Sequence, residues 1–145
     1  MEQVIYPRSP KTLLGGIAHL GRLIDKIRLR HAGCIQDYNY LTVGFDKYLL
    51  DLLTLNGEDL ERRVLQGGTD EDIVQWVTSR VSHVNDEDIQ QWNHRIFTSG
   101  PQDEAARHRF QVRLNDVAAK RGVAVEALPA VVTWTDVIEL DEGRL

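Results

Sequence analysis

Charged side chains that could bind an anion or perform acid–base chemistry gather in two short stretches of the sequence. They are Arg22, Asp25 and Lys26 in the first stretch, and Asp141, Glu142 and Arg144 in the second. A guanidinium can form two parallel hydrogen bonds to a carboxylate or phosphate, and an ammonium acts as a point charge beside it. One interpretation is therefore a pocket for a small anion. The other is an ion-pair network in which the C-terminal segment folds back onto the first helix.

Two tyrosines extend the candidate site. Tyr38 and Tyr40 alternate within "CIQDYNYLTV", which we interpret as an extended connection. Connecting segments often carry binding residues, so both rings could line the same cleft as the cations. The candidate ligand-binding residues are Arg22, Asp25, Lys26, Tyr38, Tyr40, Asp141, Glu142 and Arg144.

Other chemistries find little support in the residue pattern. None of the five histidines shows the i, i+4 spacing of a helical metal site, so we expect no metal and no cofactor. Cys34 is the single cysteine, and we expect it to be a buried small hydrophobe. The sequence contains no glycine-rich phosphate loop and no nucleophile elbow. No catalytic residue is therefore assigned, and the question of enzymatic activity stays open.

The first predicted helix positions the first charged stretch. Ser9 and Pro10 favour a helix start, and Gly33 favours its end, with a break possible near Gly15. Its apolar face, which also carries His31, holds Leu13, Ile17, Leu20, Ile24 and Ile27. On a neighbouring face lie His19, Arg22, Lys26 and Arg30. This cationic row flanks the apolar stripe, so we expect it at the edge of a cleft, with His31 in the core or at the helix end.

Later helices are indicated by their capping residues. Helix starts are predicted at Asn56, at Thr69 with Asp72, at Asn85 with Asp88, at Pro101, and at Thr133 with Asp136. Trp76, Trp92 and Trp134 lie at helical spacing from other apolar residues and are expected in the core, and Asn93 is expected to bind a loop backbone. No segment shows strand alternation. The predicted fold is all-α, a single-domain irregular bundle of about six to seven helices over residues 1–145.

The net charge and the composition limit the kinds of partner that we expect the protein to bind. The net charge of −5 argues against nucleic-acid binding, although residues 1–33 hold six Lys or Arg against two acids and residues 34–104 hold five against fourteen. This asymmetry makes a homodimer plausible, because unlike regions of two copies can complement each other. No apolar run approaches the roughly 20 residues of a membrane span, and a lone cysteine is typical of the reducing cytoplasm.

Several stretches, taken together in order, resemble one known family. They are "YPRSP", "GGIAHLGRLIDKIR", "GFDKYLL", "TDEDIVQW", "WN" and "WTDVIELDEGRL". The sequence resembles a bacterial family described as domain of unknown function 5069, most specifically in "GRLIDKIR" and "LDEGR". The resemblance implies a small, single-domain, mainly helical protein. It brings no established activity and no catalytic residue.

These observations lead to two functional expectations. The first is a non-enzymatic binding or protein-interaction module that takes a protein partner or a small anionic ligand. The alternative is a small enzyme or carrier that binds an anionic metabolite in a cleft beside Arg22 and Lys26.

Overall fold

The computed structural model describes residues 4–34 and 38–145, and within them the chain is mainly helical. The helices are α1 (Leu20–His31), α2 (Gly44–Leu53), α3 (Gly57–Leu65), α4 (Asp70–Arg80), α5 (Asp86–Thr98), α6 (Glu104–Arg121) and α7 (Trp134–Asp141). A short 3-10 helix covers Val125–Ala127 between the last two. Seven helices over the described residues confirm the predicted fold class.

A small hairpin precedes the first helix, and it corrects the predicted helix start at Ser9. Strands β1 (Leu13–Leu14) and β2 (Ile17–Ala18) pair antiparallel. Gly15 and Gly16 join them with φ angles of 58° and 79°. Two consecutive residues with positive φ are what a tight hairpin turn requires, and only glycine takes them at little cost. The two glycines therefore end the extended pair and delay the helix to Leu20.

Ser9 itself caps a turn and not a helix. Its hydroxyl accepts a hydrogen bond from the backbone N–H of Lys11, and its carbonyl accepts one from Thr12. Serine favours such local side-chain hydrogen bonds in turns as well as at helix starts. A serine therefore does not distinguish a turn from a helix start, and the helix predicted from Ser9 is wrong.

Most of the other predicted helix starts are confirmed. The side chains of Asn56, Thr69 and Thr133 each accept a backbone N–H from the first turn that follows, and Thr69 completes a reciprocal box with Asp72. The start at Pro101 is wrong. The sixth helix begins at Glu104, because Asp103 provides the cap by accepting from the N–H of Ala106.

The chain divides into two compact units, residues 1–94 and 95–145. In the first unit α1 packs against α3. The predicted stripe of α1 is confirmed as core at Leu20, Ile24 and Ile27, which are at most 1% exposed. Leu13 is half exposed because it lies in the hairpin. The expectation of one domain over residues 1–145 stays a prediction.

In the second unit α6 packs against α7 and the short 3-10 helix. Phe110 and Trp134 meet edge to face, with their ring centroids 5.2 Å apart. Thr135 Oγ1 donates to the carbonyl of Ile96, 2.7 Å away, which ties α7 to the end of α5. No helix of the described residues is both long and apolar enough to span a bilayer.

Candidate functional site

Three of the four residues of the cationic row are buried, which corrects its expected place at the edge of a cleft. His19, Arg22 and Lys26 are 1%, 2% and 4% exposed. Arg30, one turn further along, is exposed. Charges in such positions must be paired to be tolerated, so the partners of these side chains decide what the face can do.

Asp46, in the first turn of α2, is the centre of this buried charge. One of its carboxylate oxygens lies 2.6 Å from His19 Nε2 and 2.9 Å from Lys26 Nζ. The other accepts the backbone N–H of Leu41 at 3.0 Å. Lys26 Nζ also donates to the carbonyl of Asn39, 2.9 Å away. Asp46 was not among the predicted site residues, although its place on one helical face with Leu49, Leu50 and Leu53 indicates a buried acid.

Burial and hydrogen bonding together set the protonation states of His19 and Asp46. Burial lowers the pKa of His19 below its ordinary value and outweighs the opposing effect of Asp46. Burial alone would raise the pKa of Asp46, but the hydrogen bonds from His19 and Lys26 outweigh it, and the pKa is lowered. Near neutral pH the imidazole is therefore neutral and the carboxylate ionised. Because a carboxylate only accepts, the imidazole proton lies on Nε2 and the buried Nδ1 keeps its lone pair.

His19 also has an unusual backbone conformation. It precedes α1 with φ at 72°, in the left-handed region. Its N–H donates to the carbonyl of Pro10 and its carbonyl accepts from Leu23. Its ring meets Phe45 edge to face at a centroid distance of 5.7 Å. The backbone of His19 is thus held by Pro10 and by α1, and its ring is held by α2.

Asp25 belongs to a second, half-exposed ion-pair network. Arg8 grips its carboxylate with Nε at 2.9 Å and Nη2 at 3.0 Å, a bidentate pair. Arg8 also donates to Asp70 at the start of α4, and Arg28 donates to the other oxygen of Asp70. Arg8 was missed because nothing in the local pattern links it to residues 17 and 62 positions away.

The tyrosines separate into two environments. The Arg22 guanidinium lies 5.4 Å from the ring centroid of Tyr38, and its Nη1 donates to the carbonyl of Arg8. Tyr40 instead donates to Glu61 and lies under Arg30, 4.2 Å from the ring centroid. Burial and the hydrogen bond to Glu61 raise the pKa of Tyr40 well above its ordinary value. Of the candidate residues, Lys26 thus pairs with Asp46 and Arg22 lies against Tyr38, whereas Tyr40 lies between Arg30 and Glu61.

The C-terminal candidates form contacts of their own within the second unit. Arg144 Nη1 lies 2.7 Å from Glu142 and 3.3 Å from Glu139. Asp141 pairs with Lys120 at 3.2 Å. Contact between these residues and α1 stays a prediction.

The pair Trp92 and Asn93 clamps the hairpin, which confirms the expectation that Asn93 binds backbone. Trp92 Nε1 donates to the carbonyl of Ala18, 2.8 Å away. The Asn93 amide accepts the N–H of Ala18 at 2.8 Å and donates to the carbonyl of Gly16 at 2.9 Å. The side-chain amide thus acts as a neighbouring strand would.

Trp76 and Trp134 are half-buried, so only Trp92 of the three tryptophans lies fully in the core as predicted.

The predicted burial of Cys34 is wrong, since this residue follows the end of α1 and is exposed. His31 is exposed as the last residue of α1, so its place at the helix end is confirmed and a core position is not. Within residues 4–34 and 38–145, no group of three His, Cys, Asp or Glu is arranged to hold a metal ion.

Two surface pockets lie away from the predicted residues. The smaller, of about 150 Å³, lies in the first unit and is lined by Asp59, Arg62, Arg63, Gln66, Trp76 and Arg80. We call it the arginine pocket. The larger, of about 410 Å³, lies in the second unit and is mostly apolar, with Gln111 and Glu126 as its polar side chains. The signal for the arginine pocket was the Arg62–Arg63 pair in the last turn of α3 and the Trp76–Arg80 spacing of four in α4.

Comparison with known proteins agrees with the resemblance seen in the sequence. No curated protein matches the chain. One family model, described as a domain of unknown function, matches residues 4–144. Since this range covers nearly the whole sequence, the chain belongs to the DUF5069 family.

Proposed function

We propose that this protein is a non-enzymatic binding module in which the charged face of α1 is part of the scaffold. The observation that carries the proposal is the state of Asp46. Both of its buried oxygens are occupied by donors of the chain itself, namely His19, Lys26 and the N–H of Leu41. A cluster satisfied in this way fixes the hairpin, α1 and α2 relative to one another.

The burial of His19 supports the same conclusion. A histidine beside an aspartate is a common catalytic pair, but a general base must come within hydrogen-bond reach of the proton that it removes. His19 is 1% exposed and Asp46 is 1% exposed. The pair is therefore better suited to holding the fold than to meeting a substrate.

A second candidate function is a small enzyme or carrier for an anionic metabolite beside Arg22 and Lys26. Its support is that Arg22 lies against the ring of Tyr38, and that Lys26 lies one helical turn further along α1. Two cations and an aromatic ring would suit a carboxylate or phosphate. The burial of both cations favours the first candidate.

The partners and setting of the module are also part of the proposal. We place it in the bacterial cytoplasm, where a lone, exposed Cys34 stays reduced. The basic first segment and the acidic middle segment favour pairing of two copies as a homodimer.

A thermal-shift screen combined with mass spectrometry tests the proposal. Wild type, Lys26→Met and a control, Lys47→Met, are compared against phosphorylated and carboxylated metabolites. Lys47 is a suitable control because its ammonium pairs with Asp51 on the exposed face of α2. A binding module returns every stabilising ligand chemically unchanged, and Lys26→Met lowers the melting temperature without abolishing the ligand-induced shift. Conversion of a ligand by wild type and Lys47→Met, lost in Lys26→Met, would overturn it.

A further inference from the structure

The arginine pocket gathers three guanidinium groups on the surface of the first unit. Arg62 and Arg63 come from the last turn of α3, and Arg80 ends α4. Trp76, one turn before Arg80, forms a wall of the same pocket. We propose that this pocket binds a phosphate group, which gives the binding module proposed above a ligand class and a site.

Charge favours an anion in this pocket. Three arginines face one acid, Asp59, among the lining residues. Arg62 and Asp59 form an exposed pair at 3.4 Å, and Arg63 donates to the carbonyl of Gly67 at 2.8 Å. Each guanidinium has five N–H donors, so most of them remain available to an oxyanion.

Trp76 prepares Arg80 for binding. The Arg80 guanidinium lies 4.4 Å from the Trp76 ring centroid. Stacking on the ring holds the long side chain in place while leaving its edge N–H groups open. Less side-chain entropy is then lost when an anion binds.

Size and setting define the ligand further. A volume of about 150 Å³ is below the roughly 300–1,000 Å³ of pockets that enclose a whole small ligand. The pocket therefore holds a phosphate group while the molecule that carries it extends outside. Residues 34–104 hold fourteen acids against five Lys or Arg, so the net charge of this part of the chain disfavours a long polyanion. These facts favour a phosphorylated metabolite or a phosphorylated side chain over a nucleic acid.

Titration of the full chain with inorganic phosphate, followed by amide and indole NMR signals, tests the inference. We expect the Trp76 indole and the Arg80 side-chain signals to shift saturably. In Arg62→Gln/Arg80→Gln we expect affinity to fall by about tenfold or more, because two charge-assisted contacts are lost. The control Arg107→Gln/Arg113→Gln changes two exposed arginines of α6 and should bind as wild type does.

Asp59→Asn gives a further test, because the expected result is tighter binding, which a misfolded variant would not show. Removing the acid that competes for Arg62 should tighten phosphate binding several-fold. Equal phosphate affinity in wild type and the double pocket variant, or absence of binding by wild type, would overturn the inference. The inference can fail in this way while ligands are still returned unchanged, so its failure is distinguishable from that of the proposed function.

Two further ligands identify the source of the phosphate. Phenyl phosphate represents a small metabolite, and a phosphoserine peptide represents a protein partner. Tighter binding of the peptide than of phenyl phosphate, lost in the double pocket variant, assigns a protein ligand. Equal affinity for the peptide and for phenyl phosphate assigns a metabolite.

Discussion

Asp46 is the residue on which the buried charge of the first unit converges. Its carboxylate holds His19 and Lys26, which lie 27 and 20 residues away in the sequence. Pairing inside a protein barely repays the loss of hydration, but a buried charge left alone is strongly unfavourable. The cluster therefore acts as a specificity element whose members depend on each other.

Replacing Asp46 by Asn should lower the free energy of unfolding by about 3–5 kcal/mol, because Lys26 is left buried without its counter-ion. Urea unfolding measures the change. The control Asp51→Asn, which breaks the exposed pair with Lys47, should lower the free energy of unfolding far less, because an exposed ion pair contributes little. Adding Lys26→Met to Asp46→Asn should restore part of the loss. Equal losses of stability in Asp46→Asn and Asp51→Asn would contradict a buried cluster.

The lowered pKa of His19 predicts a pH-dependent stability. Below about pH 6.5 the imidazole of His19 is protonated in the unfolded chain but stays neutral in the folded chain. Stability should therefore fall as the pH is lowered from 7 to 5, by at most about 1.4 kcal/mol per pH unit from this one group. Urea unfolding at several pH values measures it.

The matching variant is His19→Asn, since asparagine tolerates the left-handed backbone of this position. In this variant the free energy of unfolding should depend less on pH between pH 5 and 7. If the pH dependence is the same as in wild type, it arises from other titrating groups. NMR titration of the wild-type imidazole provides an independent check, because the ring should stay neutral below its ordinary pKa.

At the scale of elements, the hairpin and its clamp decide where α1 begins. Gly15 and Gly16 turn the chain, and Trp92 and Asn93 bind the second strand from α5. The hairpin thereby fixes His19, the residue that leads into α1. The start signals at Ser9 and Pro10 alone would have placed the beginning of the helix earlier.

Substituting the two turn glycines should give unequal losses. A Cβ on Gly15 would lie 2.6 Å from Val74 Cγ1, whereas one on Gly16 would meet nothing within 4 Å. Gly16→Ala should cost about 1–2 kcal/mol, the backbone penalty of a left-handed residue. Gly15→Ala should cost more, because steric overlap adds to that penalty. Chemical denaturation compares them, and Gly15→Ala/Val74→Ala should recover the steric part. Equal costs would contradict the contact.

At the scale of the whole molecule, the uneven distribution of charge is the main feature. The first 33 residues carry an excess of cations, and residues 34–104 carry an excess of acids. Part of the imbalance is resolved within the first unit, where Arg8 and Arg28 pair with Asp70. Lys26 and Asp46 resolve a further part of it inside the same unit.

If two copies associate through these charges, the dimer should weaken as salt is added, since exposed charge pairs are screened within about 10 Å at 0.1 M. Analytical ultracentrifugation at low and high salt measures the monomer–dimer equilibrium. A monomer at every concentration in low salt would contradict the homodimer.

The sequence alone determined the features that depend on near neighbours. The starts of α3, α4 and α7 follow from Asn56, Thr69 and Thr133, because each cap binds a backbone N–H two or three residues away. The buried stripe of α1 follows from its helical period. The tertiary structure alone decided the pairing of Asp46 with His19 and Lys26, and the meeting of Arg62 with Arg80 in one pocket. Those partners are distant in sequence, and only the packing of separate helices brings their charges within reach.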